Sequence, residues 1–197
     1  MSQHTSEAVL SHHHAVQFYR DEVELFKTIG TFLSEGLVAG QPAIVIATPA
    51  HAAAIAEALA SHLIDVSRAR HHGDLVMLDA EDTLGTFMHN GVPDQLLFQR
   101  NIGDLIEQTI RGRGRLPIRA YGEMVDVLWR RDQTDAAIRL EVLWNELANT
   151  HSFSLLCGYA IGNFYKQTGK IDDICQQHTH VIGSNVLPFD AARPTRA

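Results

Sequence analysis

Cysteine is nearly missing from this chain: Cys157 and Cys175 are the only two in 197 residues. That is too few for a disulfide framework, and a reduced, cytoplasmic setting is the expectation. Long apolar runs are missing as well. The hydrophobic stretches are short and flanked by charge, well under the roughly 18–20 residues that cross a bilayer, so no membrane span is expected. Residues 1–10 have neither a basic start nor an apolar core and do not read as a secretory signal. Basic charge is in deficit, with 16 Lys+Arg against 23 Asp+Glu and a net charge of −7. This balance argues against direct binding to nucleic acid. No repeat or low-complexity tract is present. A phosphate loop is missing where one would be sought. The apolar run 43–48 is followed by Pro49-Ala50-His51-Ala52-Ala53, which has no glycine and no lysine to cradle phosphates.

What is present is a substantial apolar fraction, 45%, enough for one full core. Residues 14–19, 43–48, 75–79, 117–122 and 152–157 read as strands. Between them lie segments of helical periodicity. The first is capped by Asp21 and carries Val23, Leu25, Phe26, Ile29, Phe32, Leu33 and Leu37. Others are predicted over about 50–62, from the Asp79–Thr83 turn to near Gly91, from Pro93 to Ile110, over about 123–130, over 134–149 and over 171–178. Strands alternating with helices predict βαβ units: an α/β fold in three α/β/α layers with a mainly parallel sheet. Residues 1–11 are expected to be a disordered N-terminal segment, 12–183 the domain, and 184–197 a flexible tail.

The segment Pro117-Ile118-Arg119-Ala120-Tyr121-Gly122-Glu123 ends a buried strand at a glycine and delivers a carboxylate. In an open α/β sheet that position lies at the carboxyl edge, where such folds bind ligands. Glu123 there can orient water, meet a metal or accept a ligand hydrogen bond, or it can serve only as a helix-starting glutamate. Asp79 and Glu81, at a neighbouring strand end, either converge with it or simply cap the next helix. Tyr19, Tyr121, Tyr159, Trp129 and Trp144 suit the aromatic lining of an apolar pocket with a few placed polar groups, Tyr121 and Tyr159 most of all because each lies at a predicted strand end, whereas Trp144 on an apolar helix also suits simple core. The expected ligand site is therefore Thr48, His51, Asp79, Tyr121, Glu123 and Tyr159. Gly162 to Lys170 imitates a phosphate loop, but six residues separate its glycines and Ile171 stands where a Ser or Thr must meet magnesium. Arg111, Arg113 and Arg115 form a basic loop that is solvated or holds an anion. Twelve histidines invite a search for metal sites. None has the paired helical or Cys-x-x-Cys spacing of a strong zinc motif, and no metal site is assigned, with Cys175, His178 and His180 as the candidates. Cys157, in an apolar strand, reads as a small buried hydrophobe rather than a nucleophile.

Five segments in order resemble the MEDS family, the methanogen/methylotroph, DcmR-type sensory domain. They are His14-Ala15-Val16-Gln17-Phe18-Tyr19; Arg119-Ala120-Tyr121-Gly122-Glu123-Met124-Val125-Asp126; Leu143-Trp144-Asn145-Glu146-Leu147; Phe153-Ser154-Leu155-Leu156-Cys157-Gly158-Tyr159; and Cys175-Gln176-Gln177-His178-Thr179-His180-Val181-Ile182. The resemblance implies a RecA-like fold, similar to circadian-clock-type ATPases but lacking an intact phosphate loop, and a role in bacterial signal transduction. Such domains usually sit beside a DNA-binding or histidine-kinase module. This chain carries neither, so its output is expected to pass through a partner such as a histidine kinase or transcription regulator, or through oligomerisation.

The leading expectation is thus a non-catalytic sensory domain that binds a small molecule at the sheet's carboxyl edge. One alternative is an atypical nucleotide-binding, ATPase-like enzyme with Glu123 as base; another is a ligand-free adaptor. A symmetric homodimer is expected, with Leu97 and Phe98 as its contact, because Leu96, Leu97 and Phe98 in succession cannot all face one core.

Overall fold

The computed structural model describes residues 13–113, 116–164 and 168–183. The expected terminal segments and Arg115 lie outside the described residues, as do 165–167 of the loop between Gly162 and Lys170. Six strands form one sheet: β1 (His13–Tyr19), β2 (Ala43–Ala47), β3 (Leu75–Asp79), β6 (Ile118–Gly122), β7 (Phe153–Ala160) and β8 (His180–Ile182). Their spatial order is β3-β2-β6-β7-β1-β8, and every pairing is parallel. Parallel strands buried on both faces need apolar residues throughout rather than in alternation. The run Ala-Ile-Val-Ile-Ala of β2 meets that need, with all five residues buried.

Helices cover both faces, so the fold is a three-layer α/β/α sandwich. Against one face lie α1 (Glu22–Val38), α2 (Pro49–Ser61) and α3 (Val66–His71). Their Leu25, Ile29, Leu33, Ile55 and Leu59 pack on Val45, Tyr121 and Leu156 of the sheet. Against the other lie α4 (Ala80–Gly85), α5 (Gln95–Ile110), α6 (Met124–Arg130), α7 (Thr134–Leu147) and α8 (Ile171–Gln177). Phe87, Phe98, Leu128, Trp144 and Phe164 are central to that larger core.

Several local features depart from expectation. Pro93 does not open a helix: it pairs with Met88 in a two-stranded ribbon of β4 (Met88–His89) and β5 (Val92–Pro93). The helix starts two residues later, with the Asp94 carboxylate accepting from Leu97 N at 2.9 Å. Asn90 and Gly91 turn that ribbon with φ of 51° and 78°, the left-handed pair that Asn-Gly adopts at little cost. The short helix α3, capped by Asp65, and the edge strand β8 were not among the predicted elements. Phe98 is no surface contact. It is fully buried, its ring 5.2 Å from those of Phe87 and Trp144, while Leu96 and Leu97 are the exposed members of the triplet. Once a helix starts at residue 95, the 100° step per residue turns 98 inward and 96 and 97 outward.

Candidate functional site

In a parallel sheet all strands end at one edge, so the residues following β1, β2, β6 and β7 gather there. Glu123, the residue after β6, is 2% exposed. Its carboxylate does not cap the helix that it precedes. It crosses to the start of α2, where Oε1 accepts from Thr48 N at 2.5 Å and Oε2 from His51 Nδ1 at 2.5 Å. Tyr121 Oη donates to Oε2 at 3.3 Å. A helix N-terminus following a strand is where α/β folds hold phosphate, through exposed N–H groups and the positive end of the helix dipole. Here the chain's own carboxylate occupies that position.

Electrostatics follow from these bonds. Burial alone would raise the Glu123 pKa, but the hydrogen bonds from His51 and Thr48 and the His51 charge outweigh it and bring the carboxyl below its ordinary value. His51 is shifted up, chiefly by its bond to Glu123 against the opposing effect of burial, with Glu22 adding at 3.5 Å. Burial pushes the Tyr19 and Tyr121 hydroxyls upward, so both stay protonated.

His51 is also the boundary between this buried cluster and an open cavity of about 550 Å³. Tyr19 and Arg20 at the end of β1, Glu22 on α1, Asp126 and Arg130 on α6, and Ala160 to Asn163 at and just beyond the end of β7 complete its lining. Asp126, only 1% exposed, accepts from Ala160 N at 3.1 Å and Asn163 Nδ2 at 3.2 Å, and its Oδ2 lies 3.2 Å from Arg130 Nε. Burial nevertheless raises its pKa, against those bonds and the Arg130 charge.

Of the residues expected in the ligand site, Thr48, His51, Tyr121 and Glu123 are joined in one hydrogen-bonded group. The two others do different things. Asp79 accepts from Glu81 N at 2.7 Å and Asp82 N at 2.9 Å as the cap of α4. Tyr159 is fully buried on the opposite face and donates to Glu141 Oε1 at 2.9 Å. Arg113 pairs with Asp74 and bonds the His72 carbonyl. Asp126, Arg130 and Asn163 were not singled out, although Asp126 stands three residues after Glu123, the spacing that puts both on one side of a helical turn.

A second polar group lies within the larger core, clear of the cavity lining. Glu141 Oε2 is 3.2 Å from His14 Nε2, and Glu141 Oε1 is 3.5 Å from His178 Nε2, with all three side chains fully buried. Cys157 Sγ completes the group, 3.4 Å from His14 Nε2 and 3.5 Å from Glu141 Oε2. Burial depresses the His178 pKa to about 4, outweighing the pull of Glu141. For Glu141 the order reverses: burial raises it, but His178, His14 and Tyr159 together hold it low. Burial raises the Cys157 thiol strongly. Of the three metal candidates only His178 is here. Cys175 is half-buried, and the exposed His180 contacts Thr179 through Nδ1 at 2.9 Å. Glu141 carried a readable signal: it interrupts the stripe Ala137, Leu140, Trp144 and Leu147, where an unpaired charge would be costly.

A parallel six-stranded sheet covered by helices on both faces, with an open cavity at its carboxyl edge, defines a three-layer α/β/α domain. Residues 13–179 match the family model described as MEDS, the methanogen/methylotroph, DcmR sensory domain, and the chain belongs to that family. Comparison with curated proteins returns no match.

Proposed function

We propose that this sensory domain binds a small hydrogen-bonding molecule in the cavity between Tyr19, His51, Asp126 and Asn163, without chemical turnover. The observation that carries this reading is the placement of His51. It lines the cavity with one side of its ring and holds Glu123 through Nδ1, so a ligand that engages His51 alters the bonds that fix Glu123 to the start of α2. Output then passes through a partner protein, such as a histidine kinase or transcription regulator, or through a second copy of the chain.

The ATPase-like alternative is weakened by the same geometry. Both Glu123 oxygens are engaged, and neither Thr48 nor the residues after it supply the lysine and glycines that neutralise a triphosphate. A panel of small alcohols, amines and carboxylates, screened by thermal melting, should contain stabilising members whose effect is lost in His51→Ala and Asp126→Asn. Magnesium-dependent release of phosphate from ATP or GTP, abolished by Glu123→Gln, would replace this reading with the enzymatic one. Melting unmoved by any ligand, with no turnover, would leave the adaptor reading. Sedimentation with and without a stabilising ligand tests whether the signal changes self-association.

A further inference from the structure

We propose that His14, Glu141, Cys157 and His178 form a binding site for one zinc-class divalent metal ion, separate from the carboxyl-edge cavity. One ligand atom from each of the four lies within 4.8 Å of the other three. A tetrahedral zinc ion with bonds of about 2.0–2.3 Å requires ligand atoms roughly 3.3–3.8 Å apart. With Glu141 Oε2 as its ligand atom, the separations to His14 Nε2 and Cys157 Sγ are 3.2 and 3.5 Å and that between His14 Nε2 and Cys157 Sγ is 3.4 Å, on or beside that range, while His178 Nε2 stands 3.5 Å from the other carboxylate oxygen, Oε1.

The hydrogen-bond network outside the four fixes which atoms face inward. Asn145 Nδ2 donates to the Gln177 carbonyl at 2.9 Å, which turns Asn145 Oδ1 toward His14 Nδ1, also at 2.9 Å. An amide oxygen can only accept, so His14 carries its proton on Nδ1, and in the neutral ring Nε2 presents a lone pair to Glu141 and Cys157. The Ile174 carbonyl lies 2.7 Å from His178 Nδ1 and imposes the same tautomer. His178 Nε2 then points into the cluster. It is buried with no hydrogen-bond partner: its 3.5 Å approach to Glu141 Oε1 is proximity without bonding geometry. Tyr159 Oη donates to Glu141 Oε1 at 2.9 Å. The result is two imidazole lone pairs, a carboxylate and a sulfur converging on one point, each imidazole oriented from behind by an acceptor, as in known metal sites. A cation at that point resolves the lone-pair repulsion and compensates the buried carboxylate.

The donor set selects the metal. Two nitrogens and a sulfur disfavour magnesium and calcium, which take oxygen, and the carboxylate disfavours copper(I); a borderline-soft divalent ion such as zinc fits all four. Binding displaces the Cys157 thiol proton, giving thiolate coordination and releasing that proton to solvent. Because the ligands come from β1, α7, β7 and the segment joining α8 to β8, the ion would tie the sheet edge to the helical layer.

The test uses the full chain, produced with added zinc and separately with cobalt(II). About one metal ion per chain is expected by elemental analysis, and the cobalt form should show thiolate-to-cobalt charge transfer and a tetrahedral visible spectrum. Cys157→Ser should abolish the charge-transfer band. Asn145→Ala, which releases the tautomer of His14 without removing a ligand, should weaken binding by about 10–100-fold. Wild-type chain that stays folded, takes up neither metal in native or refolded form, and shows an unchanged melting temperature with a chelator would overturn the proposal and make the cluster a metal-free ion pair. Cobalt bound with a spectrum unaffected by Cys157→Ser would equally overturn it.

Discussion

Tyr121 and Gly158 show how one side chain sets the identity of its neighbour. A Cβ at Gly158 would stand 2.8 Å from Tyr121 Oη, and Tyr121, 1% exposed between sheet and α1, has no room to retreat. Gly158→Ala is expected to destabilise the chain by about 1–3 kcal/mol through overpacking, read as a lower urea midpoint. Adding Tyr121→Phe should recover part of that loss, since the remaining contacts at 3.4 and 3.5 Å are ordinary. A double-mutant cycle measures the coupling, and additive effects would refute this account. Glu123 shows what sequence leaves open at this scale. Its position at a strand's carboxyl end follows from the Tyr121-Gly122-Glu123 pattern, but its partner 75 residues earlier, Thr48 N, does not. Helix-starting glutamates ordinarily serve their own helix, and only the parallel adjacency of β2 and β6 offers this one another helix to serve. The cluster around Glu141 was hidden for the same reason, because His14, Cys157 and His178 meet through the strand order rather than through spacing.

Elements with strong local signals were legible, and those fixed by context were not. The Asp21 cap and the apolar periodicity defined α1, and the unbroken apolar run defined β2. The three-residue strand β8 has no run long enough to register. It exists because β1 offers it a pairing edge, Ala15 to His180 through Gln17 to Ile182. At Pro93 a readable signal was overridden by a prior: proline favours the first turn of a helix, but Asn90-Gly91 just before it marks a hairpin turn, and Asp94 is the better cap. Asp94→Ala should therefore cost about 0.5–2 kcal/mol, measured by chemical denaturation, while leaving any small-molecule response of the cavity unchanged. If Pro93 were the functional helix start, that substitution would be neutral. Phe98→Asp belongs with these as an element-level test. It places a charge between Phe87 and Trp144, and the expected result is loss of the folded state rather than dissociation of an assembly, seen as loss of near-ultraviolet dichroism.

For the whole molecule, the pairing of Glu123 with His51 links folding stability to pH from two sides. Glu123 is lowered from 4.5, so its contribution is present above that value and is lost as the pH falls through its folded pKa. His51 is raised from 6.5, so its contribution is full below that value and is lost as the pH rises through its folded pKa. The pair therefore stabilises the fold most between about 4.5 and 6.5. Other titrating or charged groups face it: Glu22 from α1, Tyr19 from β1, Tyr121 from β6, and Asp126 and Arg130 from α6. These remain in Glu123→Gln, so the comparison isolates the pair. The stability difference between wild type and Glu123→Gln, followed by denaturation across the pH range, should be greatest inside that window and should shrink toward both acid and alkali. A difference independent of pH would mean that Glu123 acts only as a neutral hydrogen-bond acceptor for Thr48. Loss on the acid side alone would mean that His51 holds Glu123 without its charge.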